Sequence, residues 1–284
     1  MKVLFCTDGS KISYTAMQNF SNWFDNFSVY ALSVADWSCL SDNVLAQASS
    51  VVSKCQSNAN SVLNYTQDFL ASKNIEFGGK INSCGSVVDV ILETEKDEEY
   101  SYIVMGSNGK KGLQRWLGSV SQEVSSLSKS SVYISKQNML SNKVVFALDS
   151  SLISSSRLTN TLQNIDLSEK EIHLITVYEI PDFLFLEGNI DQNWVVDVDQ
   201  KQKTEGMFLL SQYEKIFRDF GYDICIKNVL SGNYADEIIK YCDDNEVGLV
   251  VCGMKTKNYF TRLLPGSISR RILENVKSDV LIMK

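Results

Sequence analysis

The residues of this chain whose types and spacing could do chemistry are mostly glycines. In the stretch Ile103 to Ser119, IVMGSNGKKGLQRWLGS, an apolar strand-like run meets Gly106, Gly109 and the pair Gly118-Ser119 before a polar helix begins. Glycine lets the backbone approach a ligand closely and take positive φ. Free N–H groups at a helix N-terminus, which carries partial positive charge, hold phosphate oxygens. A strand feeding such a loop and a helix start has the layout of an anion site. The same residues also fit a structural account, in which the glycines make a long turn and Ser119 caps the helix, forming an S-x-x-Q capping box with Gln122. Near the other end, Leu249 to Gly253 leads through a basic, polar loop to Pro265-Gly266-Ser267 and a helix-like Ile268 to Val276. One unit of about half the chain has been written twice.

The elements that must position these glycines follow from hydrophobic periodicity. In the first half, strands are expected over Lys2 to Thr7, Val29 to Ala35, Ile75 to Asn82, Tyr102 to Met105 and Val132 to Ser135. Between them, helical spacing predicts helices over Ile12 to Asp25, Asp42 to Ser72 and Val87 to Glu99, and from Ser119 onward. Alternation of strand and helix means parallel β-α-β units and a doubly wound sheet. After a short polar link the order restarts at Val144. Asp8 aligns with Asp149 at an offset of 141, Val34 with Val177 at 143, Gly106 with Gly253 at 147, and Gly118-Ser119 with Gly266-Ser267 at 148. Such slow drift predicts two domains, 1–138 and 142–284, that are copies of one unit differing by small loop insertions. The main insertion is Glu179 to Asn193, which carries an apolar Phe183 to Leu186.

Composition narrows the function. Hydrophobic residues at 44% and charged residues at 21% are globular values, which argues against disorder. A net charge of −7 argues against nucleic acid as principal partner. No run approaches the roughly 18 apolar residues of a membrane span. Met1-Lys2 passes straight into a strand, so a cytoplasmic location is expected. The seven cysteines show no C-x-x-C pair and read as buried thiols; the single histidine, His173, lies in a strand-like run and reads as structural. Neither a P-loop nor G-x-S-x-G nor H-E-x-x-H is present, so binding is favoured over turnover.

Asp8 at the end of the first strand, Gly106-x-x-Gly109, a spacer and Gly118-Ser119 resemble the universal stress protein family, as two such domains in tandem. The resemblance implies Rossmann-like five-stranded sheets of order 3-2-1-4-5, with ATP, alone or with Mg²⁺, at the carboxyl ends of strands one and four. It also implies a regulatory role, and pairing of the last strands so that the halves form a pseudo-dimer; whether whole chains dimerise further is left open. Asp8 and Asp149 would lie beside the adenosine, although either also suits a helix cap. Val34 and Val177 stand where the family packs a residue against adenine. Gly106, Gly109, Gly118 and Ser119, with Gly253, Gly266 and Ser267 in the second half, would face the phosphates. Slow ATP hydrolysis and a nucleotide-free interaction module are the other functions compatible with the family. Each half departs from the family spacing: the first loop has eight residues, Lys110 to Leu117, where nine are usual, and Thr256 replaces a glycine in the second. The threonine is the more damaging change, because a β-branched residue resists positive φ, so the first half is expected to bind more tightly.

Overall fold

The computed structural model describes residues 1–36, 49–108, 117–136, 141–150, 152–180, 192–223, 225–253 and 267–284. The first half runs β1 (Lys2–Cys6), α1 (Lys11–Phe20), β2 (Ser28–Asp36), α2 (Ser49–Ser72), β3 (Glu76–Gly85), α3 (Val87–Asp97), β4 (Tyr102–Gly106), α4 (Ser119–Leu127) and β5 (Ser131–Ser135). The second repeats it as β6 (Lys143–Ala147), α5 (Leu152–Leu162), β7 (Glu171–Tyr178), α6 (Gln192–Asp219), β8 (Cys225–Ser231), α7 (Tyr234–Asp244), β9 (Leu249–Gly253), α8 (Ser267–Asn275) and β10 (Asp279–Met283). The ladders within each half are parallel, in the expected order 3-2-1-4-5. The expected pair of five-stranded sheets is one continuous sheet of ten strands, because β5 and β10 pair antiparallel, Val132 opposite Ile282 and Ile134 opposite Val280. An edge strand with unpaired amides and carbonyls must be covered, and each half covers the other's.

Strand side chains alternate between two apolar layers, which is why the central strands read as unbroken hydrophobic runs. Val3, Phe5, Val104 and Tyr133 enter a layer with α1, α2, α5 and α6. Leu4, Ile103, Val132 and Ile134 enter the opposite layer with α3, α4, α7 and α8. In β3, Gly78 and Gly79 lie beneath the Tyr30 ring; a Cβ on Gly78 would come within 2.6 Å of it. The helix expected to reach Asp25 ends at Phe20. Trp23 and Phe24 continue its spacing but are buried at the junction of the halves, where Phe24 forms an antiparallel bridge with Ile165. The long helix expected from Asp42 begins, as far as described, at Ser49, and the apolar insertion falls almost wholly outside the described residues.

The seam has a buried polar centre. Asp279, 2% exposed, accepts from Asn19 Nδ2 at 2.8 Å, Tyr133 Oη at 2.7 Å, Ser135 Oγ at 2.9 Å and the Lys136 amide at 2.9 Å. All four donors belong to the first half or its exit. Burial raises the carboxyl pKa, and the hydrogen bonds oppose the rise. His173 is buried between Tyr241 Oη at 2.8 Å and Glu171 Oε1 at 2.7 Å, a satisfied structural histidine. Cys6, Cys84, Cys225, Cys242 and Cys252 are free thiols; burial pushes Cys252 up to about 12. Among the described residues, no helix is long and apolar enough to cross a membrane.

Candidate functional site

β1 pairs with β2 on one side and β4 on the other, and the helices that follow β1 and β4 cover opposite faces of the sheet. Their diverging exits open a crevice at the carboxyl ends of these strands, the switch point of the half-sheet. Thr7 closes its floor. Its amide donates to Leu32 O at 2.9 Å, its Oγ1 accepts from the Gly9 amide at 3.0 Å, and the same oxygen lies 2.8 Å from Ser13 Oγ. Asp8 is exposed at the rim, with Oδ1 accepting from the Ser10 amide at 3.0 Å in an Asx turn. Gly9 takes φ 75°, a left-handed conformation that suits glycine, and Ser10 caps α1 by accepting from the Ser13 amide at 3.4 Å.

Gly106 ends β4 directly under α1. A Cβ there would lie 3.0 Å from Ile12 Cγ2 and 3.1 Å from the Ile12 carbonyl carbon, so this glycine admits the first turn of α1 against the strand. Gly118 is extended, φ −68° and ψ 147°, and its amide donates to Ser107 O at 2.7 Å. A Cβ on Gly118 would stand 3.1 Å from that oxygen, so close approach rather than positive φ favours glycine. Ser121 ties the corner together by donating from Oγ to Gly106 O at 2.9 Å.

Two expectations change here. The capping box is not formed: Gly118, pinned by Ser107, is the N-cap, and Ser119 is already the exposed first residue of α4. Gln122 instead donates from Nε2 to Glu274 Oε1 at 3.1 Å, across the seam. The Gly118 amide is also engaged, and the first helical bond runs from Gln122 N to Gly118 O. The amides of Ser119, Val120 and Ser121 are therefore the ones left without acceptors inside the helix.

Val34 lies two residues beyond Leu32, the last β1 partner in β2, and flanks the crevice while packing into the α3–α4 layer. Asp8, Val34, Gly106, Gly118 and Ser119 thus gather at one edge of the first half. Gly109 lies outside the described residues. In the second half Val177 repeats the place of Val34, two residues beyond Ile175. Gly253 ends β9 beside Met283. Asp149 follows Leu148, which is buried where the first half has Thr7. The Asp149 carbonyl accepts from Tyr213 Oη at 2.7 Å. Gly266 and Thr256 fall outside the described residues, and of Ser267 only its place at the start of α8 is described. Thr7, Ile12, Ser107, Ser121 and Tyr213 were not singled out by sequence. Thr7 and Ser10 carried a signal, because a T-D-G-S run between a strand and a helix demands local capping.

Fold and crevice together define a duplicated doubly wound α/β protein with a backbone-lined opening at the switch point of its first half. The model of the universal stress protein family matches residues 1–136 and 141–284, and the chain belongs to that family. It is 26% identical over 145 residues to a universal stress protein of Methanocaldococcus jannaschii, covering 51% of this chain and 83% of the relative. A universal stress protein of Synechocystis is 22% identical over 226 residues, covering 78% and 71%. The crystal structure of a universal stress protein from Archaeoglobus fulgidus superposes with a TM-score of 0.68 at 20% identity, covering 100% of this chain and 96% of that one. That likeness extends the shared fold over both halves.

Proposed function

We propose that the first half binds ATP or a related adenine nucleotide at the β1–β4 crevice, and that the chain acts as a regulatory protein of the stress response. The observation that carries this reading is the corner built by Gly106, Ser107, Gly118 and Ser121. It fixes the start of α4 so that the amides of Ser119, Val120 and Ser121 open where a phosphate can use them. Asp8 at the rim would accept from ribose or base donors, and Val34 would support the adenine. Among the described residues no group of three or more His, Cys, Asp or Glu could hold a metal, so Mg²⁺ would be carried by the phosphates themselves. The engaged Gly118 amide favours a second reading, a nucleotide-free interaction module.

Calorimetry with ATP separates the two. The wild type is expected to bind, and Gly118→Val to lose about a hundredfold or more, since displacing two charge-assisted bonds costs roughly 1.5–3 kcal/mol each. Ser119→Ala keeps the amide and is expected to change affinity less than about threefold. A folded wild type that binds no ATP would establish the nucleotide-free reading, and a Gly118→Val variant that binds ATP as the wild type does would place the phosphates away from this corner.

A further inference from the structure

At the opposite end of the strands from the crevice, the halves enclose a cleft of about 600 Å³ between α5 and the starts of β4 and β5. The internal repeat supplies its counterpart, because Lys136 and Lys284 correspond at the offset of 148 that also relates Gly118 to Gly266. Each lysine ammonium caps the carbonyl at the same place on the other half's last helix: Lys136 on Leu273 O, and Lys284 on Ser125 O at 2.7 Å. Each lysine amide reaches the start of the partner strand. Lys136 N donates to the Asp279 carboxylate at 2.9 Å, and Lys284 N to Ser131 Oγ at 3.2 Å.

Asp279 and Ser131 are therefore equivalent positions, and only one carries a carboxylate. The second difference runs the other way. Arg157 stands on α5 where the offset of 141 gives Ala16 on α1, while Asn19, a donor to Asp279, keeps its counterpart in Asn160. One seam end thus has a carboxylate filling its polar centre. The other has lost it, gained a guanidinium and opened a cleft lined by Arg157, Asn160, Ser131 and Lys284. Three carboxylates also line this cleft, Glu95, Glu98 and Glu99; Glu95 is turned to Ser128 Oγ at 2.7 Å and to the Lys129 amide at 2.8 Å, and Glu98 is paired with Lys2 at 2.8 Å.

We infer that this cleft binds a small oxyanion, the carboxylate or phosphate group of a soluble molecule, beside Ser131. Of the donors around Asp279 only Asn19 and the Lys136 amide have polar counterparts here, Asn160 and the Lys284 amide, since Tyr133 and Ser135 correspond to Leu281 and Met283. Arg157 and Lys284 supply the charge and Asn160 a neutral donor. Burial, with Arg157 adding to it and Glu95 opposing it, brings the Lys284 ammonium down to about 8, a shift that a bound anion would oppose further. The site is distinct from the β1–β4 crevice and does not depend on nucleotide binding there.

The test is a residue-resolved NMR titration of the labelled full-length chain with inorganic phosphate, and separately with malonate, at constant ionic strength held by chloride. Saturable shifts are expected at the amides of Ser131, Arg157 and Lys284, with Ser119 to Ser121 reporting the crevice independently. Ser131→Asp restores the missing carboxylate and is expected to weaken the anion at least about tenfold; Arg157→Gln, which leaves the cleft open, is expected to do the same. The stronger of the two anions identifies the head group. Shifts confined to Ser119 to Ser121, or saturation in both variants equal to the wild type, would overturn the inference.

Discussion

The two switch points of the molecule descend from one pattern and are closed by different means. In the first half the turn after β1 is held by its own side chains, Thr7 on Gly9 and Ser13, Asp8 on Ser10. In the second, Leu148 is buried in Thr7's place, and the turn is held from outside by Tyr213 of α6, bonded to the Asp149 carbonyl. Tyr213 stands where the first half has Thr66, which bonds Tyr14, and the Tyr14 hydroxyl in turn interacts with Thr7. The strand ladders that carry both turns are the same, because burial on two faces leaves them little freedom. Loop residues face solvent and were free to diverge. The first turn presents the exposed Asp8 at its rim, while the second is tied to α6 through the Asp149 carbonyl.

The contrast between halves is sharpest at Asp279 and Ser131, and the largest effect is expected there. Asp279→Ala leaves Asn19, Tyr133, Ser135 and the Lys136 amide with no acceptor in a buried seam, and should cost about 3–5 kcal/mol in chemical denaturation. Ser131→Ala, its equivalent, should cost less than about 1 kcal/mol because it faces the cleft. Equal costs would show that the two ends of the seam are alike despite their residues.

A smaller effect tests the ladder itself. Gly248 corresponds to Ser101, and both link a strand start to its neighbours: Gly248 N donates to Lys143 O, and Ser101 N to Lys2 O. A Cβ on Gly248 would lie 2.0 Å from Ser141 O, where the chain passes from one half to the other, whereas Ser101 is exposed. Gly248→Ser should therefore destabilise by about 1–3 kcal/mol, with Ser101→Gly well below that, as read by thermal melting. Below this comes Tyr213→Phe, which removes one bond to the Asp149 carbonyl. It should cost about 1 kcal/mol and leave the ATP affinity of the first half unchanged.

What could be read from sequence follows the same division. The strands and the duplication were legible because Val3 to Phe5, Ile103 to Met105 and Leu249 to Val251 must be apolar to lie inside the sheet, while the strand order came from the family resemblance. Gly106 and Gly118 were legible as special positions but not in their reasons: one admits Ile12, the other Ser107 O, contacts between residues distant in sequence or set by loop geometry. The capping box failed because a local motif cannot reveal that Gly118 is pinned one residue earlier. The Asp279 centre was invisible, since Asn19, Tyr133 and Asp279 meet only after the halves join.

The smallest expected effect concerns the equivalent lysines, Lys136 and Lys284. Burial brings both down from 10.5 to about 8; Glu274 and Asp279 oppose this at Lys136, whereas at Lys284 Arg157 adds to it and Glu95 opposes it. A base whose folded pKa is depressed contributes stability that is present above its unfolded pKa and lost as pH falls through the folded one. Between about 8 and 10.5 the unfolded chain therefore binds more protons, and stability rises with pH. The thiols act in the opposite sense above about 9, Cys225 being raised to about 11 and Cys252 to about 12, so the whole-protein profile mixes the two. Subtracting variant from wild type removes the thiols. Relative to Lys136→Met or Lys284→Met, wild-type stability should gain about 1 kcal/mol from pH 8 to pH 9 in each case, measured by denaturant unfolding. A gain in the Lys284 pair alone would show that the Asp279 carboxylate keeps Lys136 charged, and that the two ends of the seam differ in protonation as well as in shape.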